Sequence, residues 1–245
     1  MSSLVIVLRA THPETGRTAW LTVVVVRKVP WWGVVSAAVA PVLLACGWTI
    51  AAGLQPGSFD AVSKTISALA AQGATDRWVM TLVLLGVGTC DVLTGLALRP
   101  AASAGRLILI AGGVAGLLVA ASPEPARGGG SLAHGIWATF GFVALTAWPV
   151  AAAKREPSAP YGLRPAVSAG AAGVTLILLG WFVAELIAGL GQVGLAERVL
   201  TESQALWPLV VVLSARIAVI RPRAGPPAGA MGGGAGPGVQ ARPSA

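Results

Sequence analysis

The sequence predicts an all-α fold: a polytopic membrane helical bundle of six transmembrane helices with a short amphipathic helix in the first outer loop. Three observations carry this. Of 245 residues, 55% are hydrophobic and only 11% charged, against roughly 25% charged in soluble domains. The apolar residues gather into six runs close to the ~20 residues that a bilayer core requires. The basic residues, which set a formal net charge of +8, lie between those runs rather than on one wettable face. That arrangement excludes a nucleic-acid binder, and the composition excludes a soluble enzyme with a single buried core.

Residues 1–30 come first. Their apolar segments, 4–8 and 21–26, are too short for the hydrophobic region of a signal peptide followed by a small-residue cleavage site. They read as a dispensable cytoplasmic extension, formed as a small hairpin or left by a mis-called start with translation beginning near Val26. The six runs then cover 31–54, 78–98, 106–122, 132–153, 164–190 and 204–220. Pro41, Pro149 and Pro208 fall inside the first, fourth and sixth. Neighbouring helices can satisfy the carbonyls that such prolines free, so packing is favoured over a hinge role. Between the first two runs, Val62, Ile66, Leu69 and Ala70 recur at helical spacing within 58–72. Ser58 or Asp60 can cap that segment and Gly73 can stop it. It predicts a short helix lying on the outer face as a lid. The membrane domain is therefore 31–220. The tail 221–245 holds twelve Gly or Pro among 25 residues and is expected to be disordered.

Orientation follows from the basic residues. With the N-terminus inside, twelve of them (Arg9, Arg17, Arg27, Lys28, Arg99, Arg106, Lys154, Arg155, Arg164, Arg221, Arg223 and Arg242) face the cytoplasm. Four, Lys64, Arg77, Arg127 and Arg198, face outward. The bias puts both termini in the cytoplasm, and Trp31, Trp32, Trp78, Trp148 and Trp207 near run ends agree with interfacial anchoring. Arginine outnumbers lysine 14 to 3 in an Ala/Gly/Pro/Val-rich chain, which suggests a GC-rich bacterial genome and hence a bacterial cytoplasmic membrane.

Several chemistries are missing. Cys46 and Cys90 lie inside apolar runs and build neither a disulfide framework nor a metal site. With His12 and His134 as the histidines, a bis-histidine haem bundle and a three-histidine zinc site are excluded. No G-x-x-x-x-G-K-[ST] loop occurs. No cofactor or metal is expected. The small-residue step Gly112/Gly116, and similar faces at Gly86, Gly170, Gly173 and Gly180, point to close helix contact.

Ionisable residues inside spans are costly and mark pathways, partners or sites. Asp91, Glu185 and Arg216 are such residues here. At ~1.5 Å per residue, Asp91 lies ~20 Å and Arg216 ~18 Å below the outer face. An intramembrane Asp91–Arg216 pair is the expectation, against an Arg216 that snorkels and an Asp91 bonded to Thr94. Near the outer face, His134 and Glu185 should converge with Ser67 on the lid and with Glu124, Arg127, Glu197, Arg198 and Glu202 in the adjoining loops. A His–carboxylate pair under a lid is a small-molecule or proton site. The bland alternative has Glu197 and Arg198 capping the last helix and His134 bonded to a loop carbonyl.

Some of these residues also carry a resemblance. The series Pro56, Gly57, Ser58, Phe59, Asp60, then Thr65, Ile66, Ser67, Ala68, Leu69, then Asp76, Arg77, Trp78 resembles the opening of domain of unknown function 998. Pro123 before His134 and Gly135, and Gly194, Leu195, Ala196, Glu197, Arg198 before the last helix with Trp207, extend it across about 29–220. The resemblance implies the architecture of uncharacterised bacterial and archaeal six-helix membrane proteins and assigns no activity. The acidic residue that often follows Ile-Ser in this family is Ala68 here.

The leading functional expectation is a non-enzymatic integral membrane protein, in contact with the lipid bilayer, whose outward-facing polar pocket binds, passes or senses a small molecule, lipid or proton. The alternative is a scaffold or accessory subunit that forms a homo- or hetero-oligomer. A third reading is an outer-face serine hydrolase using Ser67, His134 and an acid. A pocket roofed by the lid favours the first, a filled core the second, and Ser67 within hydrogen-bond reach of His134 the third. An inverted repeat would favour a transporter, but Pro41 and Pro149 are placed differently in the first and fourth runs.

Overall fold

The computed structural model describes residues 6–11, 18–23, 29–126 and 130–220. The predicted tail, Arg127 and the basic residues near Val26 lie outside the described residues. Among the described residues there are seven α-helices: α1 (Trp31–Gly53), α2 (Ile66–Ala70), α3 (Trp78–Ala97), α4 (Ser103–Ala121), α5 (Leu132–Ala152), α6 (Pro165–Ala188) and α7 (Val193–Ile220). Ahead of them, β1 (Ile6–Thr11) and β2 (Thr18–Val23) form an antiparallel hairpin with Ile6 opposite Val23 and Thr11 opposite Thr18. The chain is a helical membrane bundle with this hairpin added, so it is not purely α.

Five helices, α1, α3, α4, α5 and α6, are long and apolar enough to cross a membrane. Each starts and stops within three residues of its apolar run, because the run ends where polar or turn-forming residues begin. α7 is not among those five. Its 28 residues extend eleven positions ahead of the last apolar run and include Glu197, Arg198 and Glu202. Those three residues therefore stand on a helix rather than in a loop. The reason is local: Gly191 at φ 92° reverses the chain after α6, so α7 can start at Val193.

The long helices pack as a closed ring. α1 lies against α3, α3 against α4, α4 against α5, α5 against α6 and α6 against α7, and α7 returns to α1. Small residues set the closest crossings. Gly88 of α3 meets Gly113 of α4, and Gly105 of α4 meets Ala152 of α5, near enough for the Ala102 N–H to reach the Ala152 carbonyl at 3.2 Å. Gly112 packs on Leu145 and Gly116 faces Gly88, as expected. Gly170, Gly173 and Gly180 depart from expectation, since a Cβ at each would meet open space. α6 turns few residues inward, chiefly Ser168, Thr175, Phe182 and Glu185, and exposes Ile177 and Ile187.

Three apolar clusters form among the described residues, the smallest of them joining Phe182 of α6 to Ala196 and Leu200 of α7. The largest centres on Trp148, Leu109, Leu163, Val211 and Val212, at the end where Val29 enters α1. The remaining one joins Leu44, Met80 and Val83 to Ile66, Leu69 and Ala70 of α2. α2 is thus pinned across the ring end by three buried apolar side chains. Its cap is Thr65, whose hydroxyl accepts the Ala68 N–H at 3.1 Å, rather than Ser58 or Asp60. Asp60 instead closes the preceding turn, accepting from Val62 N–H and the Ser63 hydroxyl. The Ser63 bond holds its carboxyl below the usual range. Extra turn chemistry upstream therefore shortens the helix and leaves Val62 outside it, exposed.

Candidate functional site

Where α2 crosses the ring end, four predicted residues converge. The Ile66 N–H donates to the Glu197 carboxylate, and the Ser67 hydroxyl lies 3.3 Å from the other Glu197 oxygen. On its far side Ser67 Oγ lies 3.0 Å from His134 Nε2. His134 is fixed twice: its N–H donates to the capping Ser131 hydroxyl, and Nδ1 lies 3.0 Å from the Ser122 carbonyl. A carbonyl only accepts, so Nδ1 carries the hydrogen and Nε2 faces Ser67. With a neutral ring, Nε2 accepts the Ser67 proton. With a protonated ring, the donors run from Nε2 to Ser67 and from Ser67 to Glu197. Glu124 completes the group with an oxygen 3.9 Å from Nε2.

Glu197 is buried two turns ahead of the apolar run that begins at Gln204. Burial pushes its carboxyl up to about 7, opposed by the Ile66 N–H, the Arg198 charge and the Ser67 hydroxyl. Arg198 itself holds the lid. One terminal nitrogen donates to the carbonyls of Ala61, Lys64 and Gly194 at 2.8, 2.8 and 2.9 Å. The guanidinium also stands over the rings of Trp48 and Phe59, an arrangement that favours a buried cation. A bare glycine is required beside it, because a Cβ at Gly194 would collide with the Lys64 carbonyl.

Beneath α2 lies a cavity of about 110 Å³, well above the ~10–15 Å³ that one water needs. Ser67 and Glu197 line it together with Thr201, Gln204 and Asp91. The remaining wall is apolar, including Leu44, Leu84, Val87, Trp137 and Phe142, with Gly112 and Gly116 leaving the space open. Five ring helices and the lid contribute to this one cavity.

The other predicted residues are placed elsewhere. Glu185 does not join His134: it accepts from the Trp181 indole and the Gln192 N–H, and so ties the end of α6 to the start of α7. Asp91 and Arg216 do not form an ion pair. Arg216 donates to the Val29 carbonyl at 3.0 Å, and the ion pairs within 4 Å among the described residues are His134–Glu124 and Lys154–Glu156. Matching depth fixed only height, while α3 turns Asp91 toward α4 and the cavity and α7 turns Arg216 toward the chain entering α1. Nor does Thr94 serve Asp91, since its hydroxyl pairs with that of Ser36 at 2.9 Å. Among the described residues no group of three His, Cys, Asp or Glu can hold a metal ion.

Sequence reading missed Gln204, Thr201, Trp137 and the Ser122 carbonyl. Gln204 carried a usable signal as an amide beginning an apolar run. Its Nε2 donates to the Phe142 carbonyl and the Thr146 hydroxyl, both at 3.1 Å, and its Oε1 is buried without a partner.

A family model described as "Protein of unknown function (DUF998)" matches residues 37–214. That range contains the motif residues from Pro56 to Trp207 and every member of the cluster around Ser67. No curated protein and no solved structure matches the chain.

Proposed function

Because the chain belongs to the DUF998 family over residues 37–214, a family described without a function, we propose one from the site: a six-span membrane protein that binds a small amphiphile beneath α2. In this reading α7 is the sixth span, both termini are cytoplasmic, and the α2 end faces outward from a bacterial cytoplasmic membrane. The 28 residues of α7 support the span, since ~1.5 Å per residue makes it ~42 Å long, enough for a bilayer core with its first turns outside. The excess of basic residues at the opposite end supports the orientation.

The single observation that carries the binding reading is the cavity itself. It is apolar along most of its wall, polar at chosen points, and roofed by a helix of five residues. Ligand sites share that composition. Native mass spectrometry of the detergent-purified protein tests it. Wild type is expected to carry a small-molecule adduct that Ala138→Phe, which fills the wall, loses. Bare mass in both proteins under conditions that retain lipid overturns the reading.

One contact favours a second reading, an outer-face serine hydrolase. Ser67 Oγ and His134 Nε2 are 3.0 Å apart with the histidine tautomer already set. In it, Ser67 Oγ attacks an ester carbonyl as its proton passes to Nε2. The alkoxide leaves with that proton, and water then cleaves the acyl-serine. A fluorophosphonate probe should label Ser67 in wild type and not in His134→Ala. Absence of labelling in wild type removes this reading and leaves amphiphile binding intact.

A further inference from the structure

Apart from the Trp137 indole N–H, the side chains of the cavity wall present hydrogen-bond acceptors and no free donor among the described residues. The Thr201 hydroxyl donates to the Glu197 and Arg198 carbonyls, at 2.8 and 3.2 Å. The Ser67 hydroxyl is held between Glu197 and His134. Both hydrogens of the Gln204 amide have partners, and the Phe142 carbonyl fixes which way the amide points, because a flipped amide would set oxygen against oxygen. What remains is Gln204 Oε1, buried and unpartnered, and the Asp91 carboxyl, 4% exposed. Asp91 receives no hydrogen bond and makes no ion pair among the described residues. Glu197 adds a second carboxyl to the same wall.

No Lys, Arg or His side chain lines the cavity among the described residues. The nearby Arg198 is not among the lining residues and gives one terminal nitrogen to three carbonyls of the lid segment and of α7, its other two nitrogens being buried without partners. Buried acceptors without donors are unfavourable as they stand, and a carboxylate in an apolar wall is stabilised by a hydrogen-bonded cation. The rings of Trp137 and Phe142 on the same wall suit a cation as well.

We propose that the ligand is a small amphipathic amine, bound as its ammonium ion with the nitrogen toward Asp91 and Gln204 Oε1 and its hydrocarbon against Leu44, Leu84 and Val87. This rests on the reading of the cavity as a ligand site and names the chemical class it takes. An ammonium supplies the donors that the wall lacks, and the alkyl part fits the apolar surround. An alcohol supplies one donor without charge. A carboxylate of equal length adds a third acid to a wall that already holds two.

Saturation-transfer NMR on purified full-length protein in zwitterionic detergent, with protein-free micelles subtracted, tests this with hexylamine, 1-hexanol and hexanoate. Hexylamine is expected to bind at least tenfold more tightly than 1-hexanol, with hexanoate weakest. In Asp91→Asn the tenfold preference disappears while 1-hexanol binding persists, which shows an intact cavity. Gln204→Leu should weaken hexylamine more than 1-hexanol. Equal binding of amine and alcohol by wild type, or an Asp91→Asn protein that keeps the preference, overturns the amine assignment and leaves the amphiphile pocket standing. Failure of all three probes to bind wild type removes the pocket reading and this assignment with it.

Discussion

Gly105→Leu is expected to abolish the folded bundle, or to lower its stability by at least ~3 kcal/mol. A Cβ at this position would collide with the Ala152 backbone across the α4–α5 crossing. Backbone on both sides leaves nothing flexible to yield, and the neighbouring Ala102 to Ala152 hydrogen bond at 3.2 Å must lengthen as the helices part. The control is Gly173→Leu on α6, where a Cβ meets nothing. That change should be neutral or gain up to ~1 kcal/mol through helix propensity. Thermal melts of the two detergent-purified variants separate them. Matching melting temperatures would show that the α4–α5 contact is not the tight crossing described.

Arg198→Ala should release the lid. Three carbonyls lose a charged donor at once, and hydrogen bonds to charged groups contribute about 1.5–3 kcal/mol each. They do not add independently, so upward of ~3 kcal/mol is expected for the group. The effect has a local readout beyond stability. In a background with Cys46 and Cys90 replaced by serine, Leu69→Cys introduces a thiol at a fully buried lid position. A membrane-impermeant maleimide should leave it unmodified when Arg198 is present and label it readily in Arg198→Ala. Arg198→Lys should give intermediate protection, because an ammonium can still donate to some of those carbonyls but loses the guanidinium's place over Trp48 and Phe59. An unreactive thiol in all three proteins would mean that the apolar contacts of Ile66, Leu69 and Ala70 hold α2 unaided.

The two predictions involve residues with very different legibility. Gly105 and Gly173 are alike in sequence, each a glycine in an apolar run among small residues. Only the ring order distinguishes them, because α4 is flanked closely on both sides while much of α6 faces outward. Arg198 was legible as an arginine before the last apolar run, and its convergence with Glu197 and the lid was expected. Its role was not, because the carbonyls it meets at Ala61 and Lys64 lie more than 130 residues away in the chain. The cluster of Ser67, His134, Glu124 and Glu197 was legible because each falls on the lid or beside the helix ends at the same end of the bundle. Glu185 shares that end and still stands apart, turned toward the α6–α7 connection by Trp181 and Gln192.

By itself the sequence determined that this is a helical membrane bundle, where its five long apolar helices begin and end, and which residues share a height along the bundle. Those properties depend on hydrophobic length and on a fixed rise per residue, both of which are local. The tertiary structure alone decided which face of each helix turns inward. It separated Asp91 from Arg216, emptied the ring centre beneath α2, and left Gln204 and Asp91 facing that space without donors. The physical reason is that depth constrains a side chain along one axis only. Its direction around the helix follows from the backbone approach of small residues at crossings such as Gly88–Gly113 and Gly105–Ala152, and these are contacts between distant parts of the chain.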